Sequence, residues 1–301
     1  MRLGSIDVGT NSCRMLLVDY VGDEAKIIKK SLEITRLGEG VDNNLALTKD
    51  AIERTYKAIA KFIQDINDLK VRKVRVIGTS ALRDVKNAGE LTEKIKEDFN
   101  VDFDVISGDE EARLNYMANK NMGLDNMIID IGGGSTEFIW KEGDEIRFNS
   151  LDMGSVRMTE RFIKDPSNKI SEIDLDSIKI NVKEIMEKNL NLKKGIEKLI
   201  GLGGTITTLA AIDLAMEEYD AKKIEAYELS RANIIEILSS LVNKNLAERK
   251  KISGLQPGRA DVIIAGTVVL LTIMDIMRIN HIISSEYDLL YGVIEDMRIK
   301  A

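Results

Sequence analysis

Two short segments of the chain carry residues suited to handling phosphate. IDIGGGSTEF, Ile129 to Phe138, sets three glycines after an aspartate, and IDVGTNSCRM, Ile6 to Met15, is a weaker copy of it. Aligning Asp130 with Asp7 places Gly132 on Gly9 and Ser135 on Ser12, while Glu137 falls on Arg14. Gly132, Gly133 and Gly134 let the backbone turn tightly, with successive N–H groups free to converge on anionic oxygens. Taken singly, GGGS followed by Thr136 reads first as a plain hairpin turn. Two copies, each led by an aspartate at the end of an apolar run, point to phosphate binding. A carboxylate beside phosphate is repulsive unless a cation intervenes, which implies Mg²⁺ held by carboxylates and water. Asp7, Asp130 and Glu137 are the candidate acids, Glu137 either as a ligand or as the holder of a metal-bound water. In the first copy Asn11, Ser12, Cys13 and Arg14 offer donors instead. Strand alternation puts Cys13 and Arg14 on opposite faces, so at most one faces a ligand; the ordinary place for a lone cysteine is the core.

Further candidates follow. In SGDEEARL, Ser107 and Glu110 have the spacing of a capping box, which assigns Glu110 to the helix start. Glu111, one residue on and rotated about 100° around the helix, serves no cap. It is open to two roles, a general base toward water attacking phosphorus or a solvated first-turn acid. Thr79, Ser80 and Arg83 follow the strand VRVIG at a helix start, where N–H groups and a guanidinium can take phosphate oxygens; a plain surface arginine fits Arg83 equally. GLGGTIT puts Gly203, Gly204 and Thr205 before a helix, for a ligand phosphate or for close packing. It is not GxGxxG, and no GxxxxGK[ST] occurs, so neither hydride chemistry nor a P-loop is indicated. His281, the only histidine, and the Arg259/Asp261 pair read as structural.

These residues need a scaffold, and the pattern supplies one twice. Leu3–Val8 and Met15–Tyr20 read as strands around a turn, Lys26–Leu32 as a third, and the segment after Thr48 as an amphipathic helix with a threonine N-cap. Strands follow at VRVIG and Asp102–Ile106. The second half repeats the scheme: MIIDIGGGSTEFIW, a return strand near Glu145–Ser150, a helix over Ser171–Leu190, the strand KLIGL, a helix from Thr205, a helix over Ser230–Val242, a buried helix opening near Pro257, the strand HIISSE and a final helix. Strands alternating with helices predict an α/β protein with both sheet faces covered. The boundary is expected near residue 118, between the two motif copies.

Composition narrows the function classes. At 301 residues, 44% hydrophobic and 31% charged, the chain is an ordinary globular protein of two-domain size. Its net charge of −7 argues against a nucleic-acid or membrane-surface binder. One cysteine rules out an internal disulfide and cysteine-rich zinc sites and suits the cytoplasm. The apolar run Val262–Met274 is too short to span a bilayer. A homodimer is the default expectation.

Seven ordered blocks, IDVGTNSCRMLLVD, GTSALRDVKN, ISGDEEARL, IDIGGGSTEF, MGSVRMTE, GLGGTITTLAA and GLQPGRADVIIAG, closely resemble the exopolyphosphatase and guanosine pentaphosphate phosphatase family, Ppx/GppA. The resemblance implies two ribonuclease H-like domains of the actin, hexokinase and Hsp70 superfamily facing a cleft. It implies Mg²⁺-dependent hydrolysis of the terminal phosphoanhydride of inorganic polyphosphate, or of the 5′ γ-phosphate of guanosine pentaphosphate, by direct attack of water. Glu111 matches the family's proposed base, Asp130 and Glu137 its acids for metal and water, and Arg83 with Asn11 to Arg14 its phosphate positions. Longer members continue into a helical HD-type domain; the form expected here is the short two-domain one, in which the last helix packs back onto the first domain, so the resemblance implies one domain of residues 1–117 with a C-terminal helix of about 288–301 and a second of 118–287. A sensor that binds guanosine penta- or tetraphosphate without turnover, and a small-molecule kinase, are the rival readings.

Overall fold

The computed structural model describes residues 1–22, 24–120, 126–190, 196 and 198–300. The chain divides into two compact units, Met1–Asn119 with Tyr287–Ala301, and Lys120–Glu286. Ala301, the end of the expected C-terminal segment, lies outside the described residues.

In the first unit β1 (Arg2–Val8), β2 (Ser12–Val21), β3 (Glu24–Ile34), β4 (Lys73–Gly78) and β5 (Phe103–Val105) form a sheet in the order β3-β2-β1-β4-β5. β1 runs antiparallel to β2 and parallel to β4, and β4 parallel to β5. Side-chain alternation decides what each face covers. Ile6, Val8, Met15 and Leu17 meet Ile59, Phe62 and Ile63 of the helix Lys49–Asp68 in one core. Leu3, Leu16, Val18 and Ile77 meet Leu114, Leu290 and Val293 in the other. Thr48 caps its helix by accepting from the Ala51 N–H at 3.2 Å. The unit is closed by the C-terminal helix Leu289–Ile299, which packs on the helix Gly108–Asn119 and on β1.

The second unit repeats that order. β6 (Asn126–Ile131), β7 (Thr136–Glu142), β8 (Glu145–Leu151), β9 (Lys198–Leu202), β10 (Glu228–Ser230) and β11 (His281–Ser284) lie as β10-β11-β9-β6-β7-β8. Without the edge strand β10 this is the same 3-2-1-4-5 arrangement, with β6, β9 and β11 mutually parallel. Both units are thus ribonuclease H-like sheets, as the resemblance implied. The short β10, antiparallel to β11, was not anticipated. The helix Ile263–Met277 is buried over its first twelve residues, Ile263 to Met274, and packs on the helices Ser155–Phe162, Glu172–Asn189 and Arg231–Val242. Contrary to expectation, Pro257 does not open it: Pro257–Arg259 is a separate 3₁₀ turn. A proline fits the first position of either helix type, so its presence does not tell them apart. Among the described residues no helix is long and apolar enough to cross a membrane.

Candidate active site

The turn after β1 is built from its carbonyls outward. Asn11 O accepts from the N–H groups of Thr35 at 3.2 Å and Arg36 at 2.9 Å, and Thr10 O from Gly38 at 2.9 Å. The Thr10 methyl leaves no room for a side chain at position 38. With the carbonyls tied down, the turn's remaining polar groups decide its chemistry. Asp7, 3% exposed at the end of β1, accepts on Oδ2 from Arg14 Nε at 3.0 Å and Nη2 at 2.5 Å. Arg14 Nη1 reaches the Asp288 carboxylate. The expectation that Arg14 offers its guanidinium to phosphate is therefore corrected: it is held between two carboxylates. Burial raises the Asp7 pKa, and Arg14 opposes that only in part. Asp7 Oδ1 and Asn11 Nδ2 are buried with no hydrogen-bond partner among the described residues, an unusual pair of orphans. Cys13 is also corrected, because its side chain lies in the core and cannot touch a ligand. Burial and then the nearby Asp7 push its thiol pKa well up, so no thiolate nucleophile forms there.

Two of the expected catalytic residues are brought together in the same unit. Glu111, 7% exposed, accepts from Arg83 Nη1 at 2.7 Å, and the same nitrogen donates to Ile106 O at 3.0 Å. The predicted capping box is only half made. Ser107 Oγ accepts from the Glu110 N–H at 3.2 Å. The Glu110 carboxylate does not return to Ser107 but forks onto Arg113, at 2.6 and 2.8 Å. That fork holds its pKa below the usual carboxylate range. Thr79 and Ser80 are buried, and Ser80 Oγ donates to Asp84 at 3.3 Å. The helix they open is a single turn, Ser80–Arg83, too short for the dipole and N–H array expected of an anion site.

In the second unit the glycine turn is sewn to a helix. Gly132 O accepts from Ser155 N–H at 2.9 Å, Gly133 O from Val156 at 2.8 Å and Arg157 at 3.1 Å, and Gly134 O from Gly154 at 3.1 Å and from Arg157 Nε at 2.7 Å. Gly154 must be glycine, since a Cβ would strike the backbone of Gly133 and Gly134. The N–H groups of Gly133 and Gly134 donate to nothing among the described residues. The turn thus has its carbonyls fixed and these two donors available, as an anion cradle requires. Asp130 is buried at the end of β6. Its carboxylate lies over Gly203, which adopts φ +83° and could not carry a side chain without striking it.

Three expected phosphate contacts in this unit are corrected. Ser135 Oγ donates to Glu137 Oε1 at 2.7 Å, and Thr136 Oγ1 to Met153 O at 2.9 Å. Thr205 is buried, its hydroxyl packed where only a glycine, Gly266, leaves space. Glu137 has no exposed surface, and its Oε1 takes a second hydroxyl, from Ser150 at 2.7 Å, so that oxygen is fixed from two sides. Arg259, read from sequence as structural, lies with its guanidinium against Gly204, in the space a Cβ would fill. Its Nε donates to Gln256 at 3.0 Å. The sequence signal for Arg259 was its place in GLQPGRADVIIAG; for Asp288, 274 residues from Arg14, there was none. His281 is exposed beside Glu228.

Among the described residues no three His, Cys, Asp or Glu side chains cluster as a metal cage. Buried carboxylates at single strand ends, one with an orphaned oxygen, suit Mg²⁺, which takes one or two carboxylates and fills its shell with water and phosphate. A duplicated ribonuclease H-like sheet with an aspartate-led turn in each copy is the arrangement that the family resemblance implied. The chain belongs to the Ppx/GppA phosphatase family, whose model matches residues 17–301. It is 38% identical over 307 residues to a bifunctional 3-dehydroquinate synthase/phosphatase of Fusobacterium nucleatum, covering 96% of this chain and 46% of that protein, so it spans about half of that relative. Exopolyphosphatase 2 of Mycobacterium tuberculosis is 31% identical, with 97% of each chain covered. A guanosine-5′-triphosphate,3′-diphosphate pyrophosphatase of Vibrio cholerae is 30% identical, with 98% of this chain and 59% of that protein covered. A crystal structure of an exopolyphosphatase from Cytophaga hutchinsonii matches with TM-score 0.90 and 29% identity over 100% of this chain and 99% of that one.

Proposed function

We propose that this protein hydrolyses the terminal phosphoanhydride of inorganic polyphosphate, by direct attack of water. The observation that carries the reading is the equivalence of Asp7 and Asp130. Each is a buried carboxylate at the end of the central strand of its sheet, and each is followed by a turn whose carbonyls are tied away from the ligand side. The N–H groups of Gly133 and Gly134 bind phosphate oxygens, and the guanidinium of Arg259 adds positive charge beside Gly203 and Gly204. Glu111, held by Arg83, orients the attacking water and takes its proton. Arg83 keeps that carboxylate in place and offsets the charge of the transferred group, so that most of the acceleration is electrostatic and positional. Within its own unit each strand-end aspartate, Asp7 or Asp130, is a carboxylate that would hold Mg²⁺, which when bound would neutralise phosphate charge; in the unit of Asp130, Glu137 would organise the water.

The similarity to the Vibrio cholerae pyrophosphatase favours a second reading, release of the 5′ γ-phosphate of guanosine pentaphosphate, since both substrates end in the same bond. Phosphate release from each, with and without Mg²⁺, for the wild type and Glu111→Gln, separates the possibilities. Turnover of one substrate, lost by a factor of about 10² or more in Glu111→Gln, is expected from removal of a general base. Binding without release by the wild type, or full turnover by Glu111→Gln, overturns the hydrolytic reading.

A further inference from the structure

Ser150 belongs to none of the motifs that drew attention in the sequence, yet it touches the most buried acid of the site. It lies on β8, directly across from Glu137 of β7 in the strand register. Its hydroxyl donates to Glu137 Oε1 at 2.7 Å, the same oxygen that takes the Ser135 hydroxyl at 2.7 Å. Two O–H donors from different places, one on the glycine turn and one on a neighbouring strand, meet on one carboxylate oxygen of a side chain with no exposed surface.

We propose that Ser150 is a positioning residue, whose hydroxyl fixes the orientation of the Glu137 carboxylate for hydrolysis. The inference rests on Glu137 serving the reaction. A glutamate has several rotatable bonds, and one donor to one oxygen still leaves the carboxylate free to pivot about that contact. A second donor arriving from another direction removes the pivot, and charge-assisted O–H···O⁻ bonds are strong enough to hold it. The anchoring is rigid because the register between β7 and β8 sets it. A slip of one residue would turn the hydroxyl to the other face of the sheet. A β-branched side chain would suit the strand better, and Ser135 already supplies Oε1 with one donor, so what serine adds at 150 is its own O–H.

The test compares Ser150→Ala, Ser150→Cys and Ser150→Thr with the wild type. For each, kcat and KM for polyphosphate, thermal midpoint, and calorimetric binding of a non-hydrolysable imido-linked polyphosphate are measured. Removing a partner that orients a functional group costs about 10- to 100-fold. The expected result is a loss of that size in kcat for Ala and Cys, KM and ligand affinity within about twofold, and recovery in Thr, which retains the hydroxyl. A packing role predicts the reverse order, with Cys, close to serine in size, near wild type. Unchanged kcat in Ser150→Ala, or Cys performing as well as Thr, overturns the proposal. If the alanine variant does not fold, the Cys and Thr pair decides alone. Glu137→Gln is assayed in parallel. Full turnover there overturns the role of Glu137, whereas loss there with a normal Ser150 series overturns only the role of Ser150.

Discussion

Gly203 and Gly204 are neighbours that exclude a side chain for different reasons, and the difference is measurable. At Gly203 the obstacle is the fold: φ is +83°, and a Cβ would strike the Asp130 carboxylate. Gly203→Ala should lose about 1–2 kcal/mol of stability from the left-handed backbone alone, together with activity, as Asp130 is pushed aside. At Gly204 the obstacle is the far end of the flexible Arg259 side chain. Gly204→Ala should leave stability within about 1 kcal/mol of wild type, because alanine favours a helix more than glycine does. It should still lower kcat/KM about 10- to 100-fold, the worth of a hydrogen bond to a charged group. Arg259→Ala should match it, and the double variant should fall no further; additive losses would show that the two act separately. The sequence exposed the glycines and both acids because their types are rare at strand ends. It could not expose where hydroxyls turn. Ser135, Thr136 and Thr205 all sit in motif positions, but strand pairing and helix packing direct them inward.

The helix Gly108–Asn119, which carries Glu111, is held at its outer edge by an ion-pair network. Asp296 of the helix Leu289–Ile299 takes Arg75 at 3.2 Å, Arg113 at 3.0 Å and Lys300 at 2.8 Å, and Arg113 also forks onto Glu110. Burial raises the Asp296 pKa, but the bonds from Lys300 and Arg113 outweigh it, so its carboxyl lies below the ordinary range; Glu110 is lowered mainly by Arg113. Carboxyls depressed by folding contribute stability that is complete above their unfolded values near about 4 and is lost as pH falls through the folded ones. Asp296→Asn should thus cost about 2 kcal/mol at neutral pH, less than a fully buried pair because Arg113 is part exposed and Lys300 is exposed. Its stability should also fall less steeply below about pH 4. Urea midpoints of both proteins from pH 3 to 7 check this, and parallel curves would contradict it. At this scale the sequence was informative where a cap preceded a long helix, as at Thr48, Ser171 and Ser230, and missed the single-turn helices capped by Asp220 and Asn245. It was silent on β10, whose three residues are too few to show a period.

The first unit is discontinuous in sequence, and that sets how it can fold. The repeated turn made the two sheets legible, because each copy opens its own 3-2-1-4-5 series. The return of residues 287–301 to the first unit came from the family resemblance, since Asp288 meets Arg14 and Gly292 meets Leu114 only in three dimensions. The closing helix buries Leu289, Leu290, Val293, Ile294 and Met297 against Leu3, Leu16, Val18, Ile77, Ile106 and Leu114. At about 1.5–3 kcal/mol for each buried side chain, those five contribute an amount comparable to the whole stability of a typical domain, about 5–15 kcal/mol. A chain ending at Glu286 should therefore fail to fold its first unit, whereas residues 120–286, with an apolar core of their own, should unfold cooperatively as a separate fragment. Gly292 gives a gentler version of the same test. A Cβ there would overlap the Leu114 carbonyl, so Gly292→Val must lever the closing helix off the helix that carries Glu111. Hydrogen exchange should show protection lost over β1, Gly108–Asn119 and Leu289–Ile299, with the helix Ile263–Met277 unchanged. Protection lost equally in the second unit would mean that the two fold as one, and that the closing helix is not what completes the first.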